Sequence, residues 1–212
     1  NAHTRRRTRR NQKGENNMKH LKMLGLLVMA AASLMAFASS ASAFPILTSP
    51  SGTAYIGEFH ATVEKGTSVV LEGGIKDTCT ESTLLADIQT NNTEHAAGPI
   101  TIFSSGSGAT PCTQDTKTIT SGRLTINELS GEVFTQESRL EVKVTSLGIT
   151  CFYGAETGSV KLGTLTSGTP AKLDVNTTTL QREAGSNTTF CASNGKTTGT
   201  YVVTKPSTLL IT

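Results

Sequence analysis

The residues of this chain that could do chemistry are few and far apart. Glycoside hydrolysis needs two carboxyl groups across a cleft. The best pair available is Asp77 and Glu81, two residues either side of Cys79 and on one face if the segment is a strand. The same spacing also suits surface charge on an alternating strand. A serine hydrolase needs a nucleophile, a histidine and an acid. No G-x-S-x-G occurs, and Gly106-Ser107-Gly108 reads as a flexible loop. Past residue 43 the histidines are His60, on the polar side of an alternating segment, and His95, in a polar loop. Calcium sites want several acids with glycine spacing, whereas Gln114-Asp115-Thr116 offers one acid. The reading is therefore no catalytic residue, no cofactor site and no metal site. The alternative is a small secreted hydrolase acting through Asp77 and Glu81.

The four cysteines, Cys79, Cys112, Cys151 and Cys191, carry the stronger signal. No two form a C-x-x-C pair, which argues against zinc. An even count fits two disulfides in an oxidising compartment. Three pairings are possible. The one expected here is Cys79–Cys112 and Cys151–Cys191, with separations of 33 and 40 residues, each bridge closing its own half of the chain. Loop closure gives about 4 kcal/mol per bridge in the chain-entropy model.

The compartment follows from Met18–Ala43. Lys19, His20 and Lys22 make a basic start, Met23–Phe37 is uncharged and apolar, and Ala41-Ser42-Ala43 closes a small, polar end. That order is a secretory signal cleaved after Ala43. The apolar run is shorter than the roughly 20 residues of a spanning helix, and no second such run follows, so no membrane attachment is expected after cleavage. Residues 1–17 hold an arginine cluster ahead of Met18. Lys13-Gly14-Glu15 can be encoded by a purine-rich run resembling a ribosome-binding site, so this segment reads as leader sequence translated from an early start. Asn1–Ala43 contains eight of the 19 basic residues and one of the 16 acids. Phe44–Thr212 is left with 11 against 15, a net charge of −4 in place of +3. An acidic domain lacks the electrostatic footprint of a nucleic-acid binder.

Phe44–Thr212 reads as one domain. It is rich in Thr, Ser and Gly and has no Trp. Period-2 alternation recurs. Phe59, Ala61 and Val63 oppose His60 and Thr62; Leu140, Val142 and Val144 oppose Arg139, Glu141 and Lys143; Ala171, Leu173 and Val175 oppose Lys172 and Asp174. Further candidates are 68–72, 84–90, 100–104, 123–129, 133–136, 149–153, 160–165, 177–183, 200–204 and 208–212. Turn signals separate them, among them Gly73-Gly74, Ser121-Gly122, Ser130-Gly131 and Asn194-Gly195. The pattern predicts an all-β fold with antiparallel pairing, a β-sandwich or alternatively a Greek-key barrel. The longest loops are expected at Asn91–Pro99 and Ser104–Thr118, and recognition tends to sit on such loops. Sugar-binding sandwiches usually present Trp or Tyr platforms, and only Tyr55, Tyr153 and Tyr201 exist here; Tyr153, beside Cys151, is expected in the core. The triplets starting at Asn91, Asn176 and Asn187 match the glycosylation pattern, a frequent coincidence in Thr-rich sequence.

The signal segment, Cys79-Thr80-Glu81-Ser82-Thr83, Gly148-Ile149-Thr150-Cys151-Phe152-Tyr153, and the end Gly199-Thr200-Tyr201-Val202-Val203-Thr204 with Pro206-Ser207-Thr208-Leu209 together resemble a group of exported all-β proteins of high-GC Gram-positive soil bacteria. The resemblance implies a fold and no site. The function expected is a secreted or cell-envelope module, binding or structural, with an extracellular or cell-wall partner.

Overall fold

The computed structural model describes residues 47–104, 112–120, 122–127, 130–155 and 157–211. The segments expected to be signal and leader, and residues 105–111 of the loop expected at Ser104–Thr118, lie outside these residues. The chain divides into two units between Ala43 and Phe44, and the second is the one described.

Among the described residues sixteen strands follow in order: β1 (Leu47–Thr48), β2 (Gly57–Val63), β3 (Val69–Glu72), β4 (Lys76–Cys79), β5 (Thr83–Ile88), β6 (Thr90–Asn91), β7 (His95–Ser104), β8 (Asp115–Thr120), β9 (Arg123–Asn127), β10 (Glu132–Gln136), β11 (Arg139–Val144), β12 (Ile149–Gly154), β13 (Ser159–Thr166), β14 (Lys172–Arg182), β15 (Asn194–Lys205) and β16 (Leu210–Ile211). A single 3-10 turn, Thr145–Leu147, joins β11 to β12, and no α-helix occurs among the described residues. The all-β architecture, the antiparallel pairing and both disulfides are as expected.

Eight strands pair in a ring, β15-β2-β5-β7-β9-β10-β13-β14, which closes because β14 also pairs with β15. Alternation explains which side chains fill it. Phe59 and Ala61 of β2, Leu124 and Ile126 of β9, and Leu173 and Val175 of β14 all point inward and are buried. Antiparallel β1 and β16 pair Leu47 with Ile211, and Leu47 and Leu209 are fully buried in the ring's core.

The hairpin β14–β15 is longer than the ring needs. Its tip, Leu180-Gln181 against Asn194-Gly195, carries the outer strands. There β12 pairs with β14, and β11 and β8 follow; on the other side β3 pairs with β15, and β4 follows. These strands enclose a second core of Leu71, Val142, Val144, Ile149, Cys151, Tyr153, Leu180 and Cys191. The Tyr153 ring fills its centre. A Cβ at Gly195 would stand 2.9 Å from that ring, and one at Gly73 would run into it, so both positions need glycine.

Three expectations change. Asn194-Gly195 was predicted to turn the chain, yet it opens β15, and the turn is the segment between Arg182 and Asn194. The stretch 91–99 is mostly a hairpin of β6 and β7, so His95 begins a strand. The end of the stretch Ser104–Thr118, expected as a loop, is the start of β8. The two bridges pair as expected, each within its own half of the chain, and both fasten the outer strands. Cys151–Cys191 lies within the second core, while Cys79–Cys112 ties the end of β4 to the segment entering β8. Peptide mapping without reduction is expected to recover these two linked pairs; a Cys79–Cys151 or Cys79–Cys191 peptide would contradict the arrangement.

Candidate functional site

Two places gather polar side chains in a defined geometry. The first is the seam between β4 and the start of β8. Backbone alternation buries Asp77 and Cys79 on one face of β4, and Asp77 is only 1% exposed. Its carboxylate accepts hydrogen bonds from the Gln114 N–H at 2.8 Å, the Thr113 hydroxyl at 3.0 Å and the Thr116 hydroxyl. Alongside, the Thr113 N–H donates to the Thr78 carbonyl and the Thr78 N–H to Thr113 Oγ1, both at 3.0 Å. With the bridge, these bonds close the outer strands into a second circuit. A carboxylate held by several donors is a satisfied buried charge. Asp77 was expected on a polar strand face, and this placement corrects that. Glu81 lies beyond the end of β4, exposed, in the connection to β5, so the two acids do not share one strand.

Asp77, Cys79 and Cys112 also form the one group of metal-ligating residue types gathered among the described residues. Both sulfurs are bonded to each other, and a metal needs thiolates. The arrangement supplies N–H and O–H donors around an acid, which suits a buried anion and not a cation.

The second place is on the outer wall of the ring. β7, β9 and β10 are neighbours, with His95 opposite Asn127, Ala97 opposite Thr125, and Arg123 opposite Gln136. The inward positions Ala96, Leu124, Ile126 and Val133 are buried in the core, so the alternate residues face out. Ala97 is the smallest of them, and the larger side chains around it leave an open depression of about 600 Å³. Glu94, His95, Ala97, Arg123, Thr125, Asn127, Ser130 and Gln136 line it. Part of this lining falls in the stretch 91–99 that was expected to carry contacts. Arg123, Asn127 and Gln136 were not singled out from the sequence, because only the strand order places them together.

The remaining candidates have structural partners. The Asn91 amide nitrogen donates to the carbonyls of Leu47 at 2.6 Å and Tyr55 at 2.9 Å. Asn187 Oδ1 accepts from the N–H groups of Thr189 and Phe190 in its own turn. Two of the three triplet asparagines thus hold local structure in place, and the third, Asn176, lies within β14. His60 is half-buried on β2, away from the core positions Phe59 and Ala61. Several surface acids, expected singly, are paired: Glu58 with Lys205 at 3.0 Å, Glu64 with Lys172 at 2.6 Å, Glu72 with Lys76 at 3.4 Å and Glu132 with Lys161 at 2.5 Å.

Tyr153 is buried as expected, its hydroxyl donating to the Gly73 carbonyl. Tyr201 lies in the ring core, its hydroxyl 2.8 Å from that of Ser82. Burial pushes the Tyr201 phenol up to about 12, against a smaller opposing effect of the Ser82 hydrogen bond. A raised phenol favours the folded state fully below the unfolded value near 10, and this contribution is lost as pH rises through about 12. Phenolate absorbance is therefore expected to show Tyr201 ionising only as the fold is lost. Tyr201→Phe is expected to move alkaline unfolding to higher pH; an unchanged midpoint would contradict this.

Compared with known proteins, the chain matches no family model, no curated protein and no solved structure.

Proposed function

We propose that the chain is an exported, non-enzymatic binding or structural module that works outside the cell or in its envelope. The observation that carries this is the engagement of Asp77. The best acid for hydrolysis is enclosed in the seam, with three donors fixed on its carboxylate and a disulfide beside it. General acid–base work needs a group that reaches substrate. The two bridges fit an oxidising compartment, and the signal segment supplies the route. We also read the closed ring as a barrel in preference to two stacked sheets, since its ladder runs through all eight strands without a free edge.

The test is a turnover screen of the purified protein on glycoside, ester and peptide substrates, beside Asp77→Asn and Glu81→Gln. No turnover is expected. Turnover that disappears in Glu81→Gln, or in Asp77→Asn with the fold intact, would overturn the reading. Fractionation of producing cells should place the protein in the medium or wall, beginning at Phe44.

A further inference from the structure

We infer that the depression over Ala97 is a saccharide site, and that it takes a carboxylated sugar of the uronic-acid kind. This rests on the binding-module reading above and names its ligand class.

The chemistry of the lining narrows the choice. Arg123, exposed at the start of β9, has no carboxylate partner among the described residues, unlike Lys76, Lys161, Lys172 and Lys205. A guanidinium presents a planar fork that matches a carboxylate in two parallel hydrogen bonds. The amides of Asn127 and Gln136 and the hydroxyl of Thr125 each offer donor and acceptor atoms, which suits the alternating demands of sugar hydroxyls. Glu94 adds an acceptor on the rim. These side chains have no hydrogen-bonded partner among the described residues, so their capacity faces the depression.

An apolar surface for the sugar's C–H face stands next to the depression, outside its lining. Phe134 of β10 is the cross-strand partner of Thr125, half-buried on the outward side, and residues paired in this way stand side by side on one face. It offers an aromatic face beside the depression, which the two core tyrosines do not. A volume of about 600 Å³ falls within the range of small-ligand sites.

The rival ligands fit less well. A phosphate group draws on several cations, and Arg123 is the one Lys or Arg in the lining. A peptide usually adds a strand to a free sheet edge or fills an apolar groove. Here β7, β9 and β10 are each paired on both sides, and the lining is polar apart from Ala97.

The experiment is titration of the isotope-labelled protein, followed by amide chemical shifts, with tetrasaccharides of galacturonate and of glucuronate. A neutral galactose tetrasaccharide and a glutamate-rich octapeptide are the comparison probes. At least one uronate is expected to bind, with shifts centred on His95, Thr125, Asn127 and Gln136. Its affinity should fall about tenfold in Arg123→Gln, the scale of a lost charge-assisted pair. A several-fold loss is expected in Phe134→Ala and none in Lys196→Gln on β15. The neutral sugar should bind about tenfold more weakly than the uronate. Absence of uronate binding, shifts centred elsewhere, or full affinity in Arg123→Gln would overturn the site and leave the module reading intact. Equal or tighter binding of the octapeptide would assign the face to a protein partner instead. New reducing ends during the titration would overturn the non-enzymatic reading while leaving the site in place.

Discussion

Asp77→Ala is expected to lower the unfolding free energy by about 3–5 kcal/mol, since several hydrogen bonds to a carboxylate are lost at about 1.5–3 kcal/mol each and the freed hydroxyls recover part of it. The substitution leaves the Gln114 N–H and the hydroxyls of Thr113 and Thr116 facing a void beside the Cys79–Cys112 bridge. The hydroxyls can turn, but the N–H is fixed by the backbone. Asp77→Asn keeps the volume and one acceptor oxygen, so a smaller loss of about 1–2 kcal/mol is expected. Asp115→Asn, exposed on β8, should stay within about 0.5 kcal/mol of the parent. Denaturant unfolding measures all three. Against a typical total of about 5–15 kcal/mol, the alanine variant should be visibly crippled. A loss below about 1 kcal/mol would mean that the seam does not hold the outer strands.

Asp77 also marks where the sequence could be read and where it was misread. Alternation places Asp77 on the same face as Cys79, and β4 follows that rule. A bridged cysteine is among the most buried residue types, so its neighbour two positions back had to be buried too. The chemistry of an acid suggested a surface position, but the period of the strand decided otherwise. The same period located β2, β11 and the base of β14 correctly, because in each an apolar row covers one core. Local pattern carries no information on which strands meet. Hence the ring closure through β14 and β15, and the meeting of Arg123 with Gln136, required the fold. The Asn194-Gly195 pair misled for a related reason. Such a dipeptide is a strong hairpin signal, but here the glycine is needed because the ring of Tyr153, 42 positions earlier, lies against it.

Removing the bridges is expected to unfold one part of the domain and spare the other. Both disulfides fasten the outer strands, while the ring closes by backbone hydrogen bonds alone. The two cores are unequal. Among the described residues nineteen form the ring's core and eight the second, two of those being the bridged Cys151 and Cys191. A core that small holds its strands weakly without cross-links. In the chain-entropy model each bridge contributes about 4 kcal/mol, equivalent to roughly a thousandfold in an opening equilibrium. Native-state hydrogen exchange of Cys79→Ala/Cys112→Ala, of Cys151→Ala/Cys191→Ala and of the fourfold variant resolves the effect strand by strand. Amides of β3, β4, β8, β11 and β12 should lose protection in each double variant and nearly all of it in the fourfold one. Those of β2, β5, β7, β9, β10 and β13 should keep theirs. The hairpin β14–β15 is the sharpest indicator, since it belongs to both circuits. Its base, where Leu173 faces Tyr201 and Val175 faces Gly199, should stay protected while its tip, where Leu180 faces Gly195, opens. Uniform loss across all strands would show instead that the two circuits fold as one unit and that the bridges support the ring as much as the outer strands.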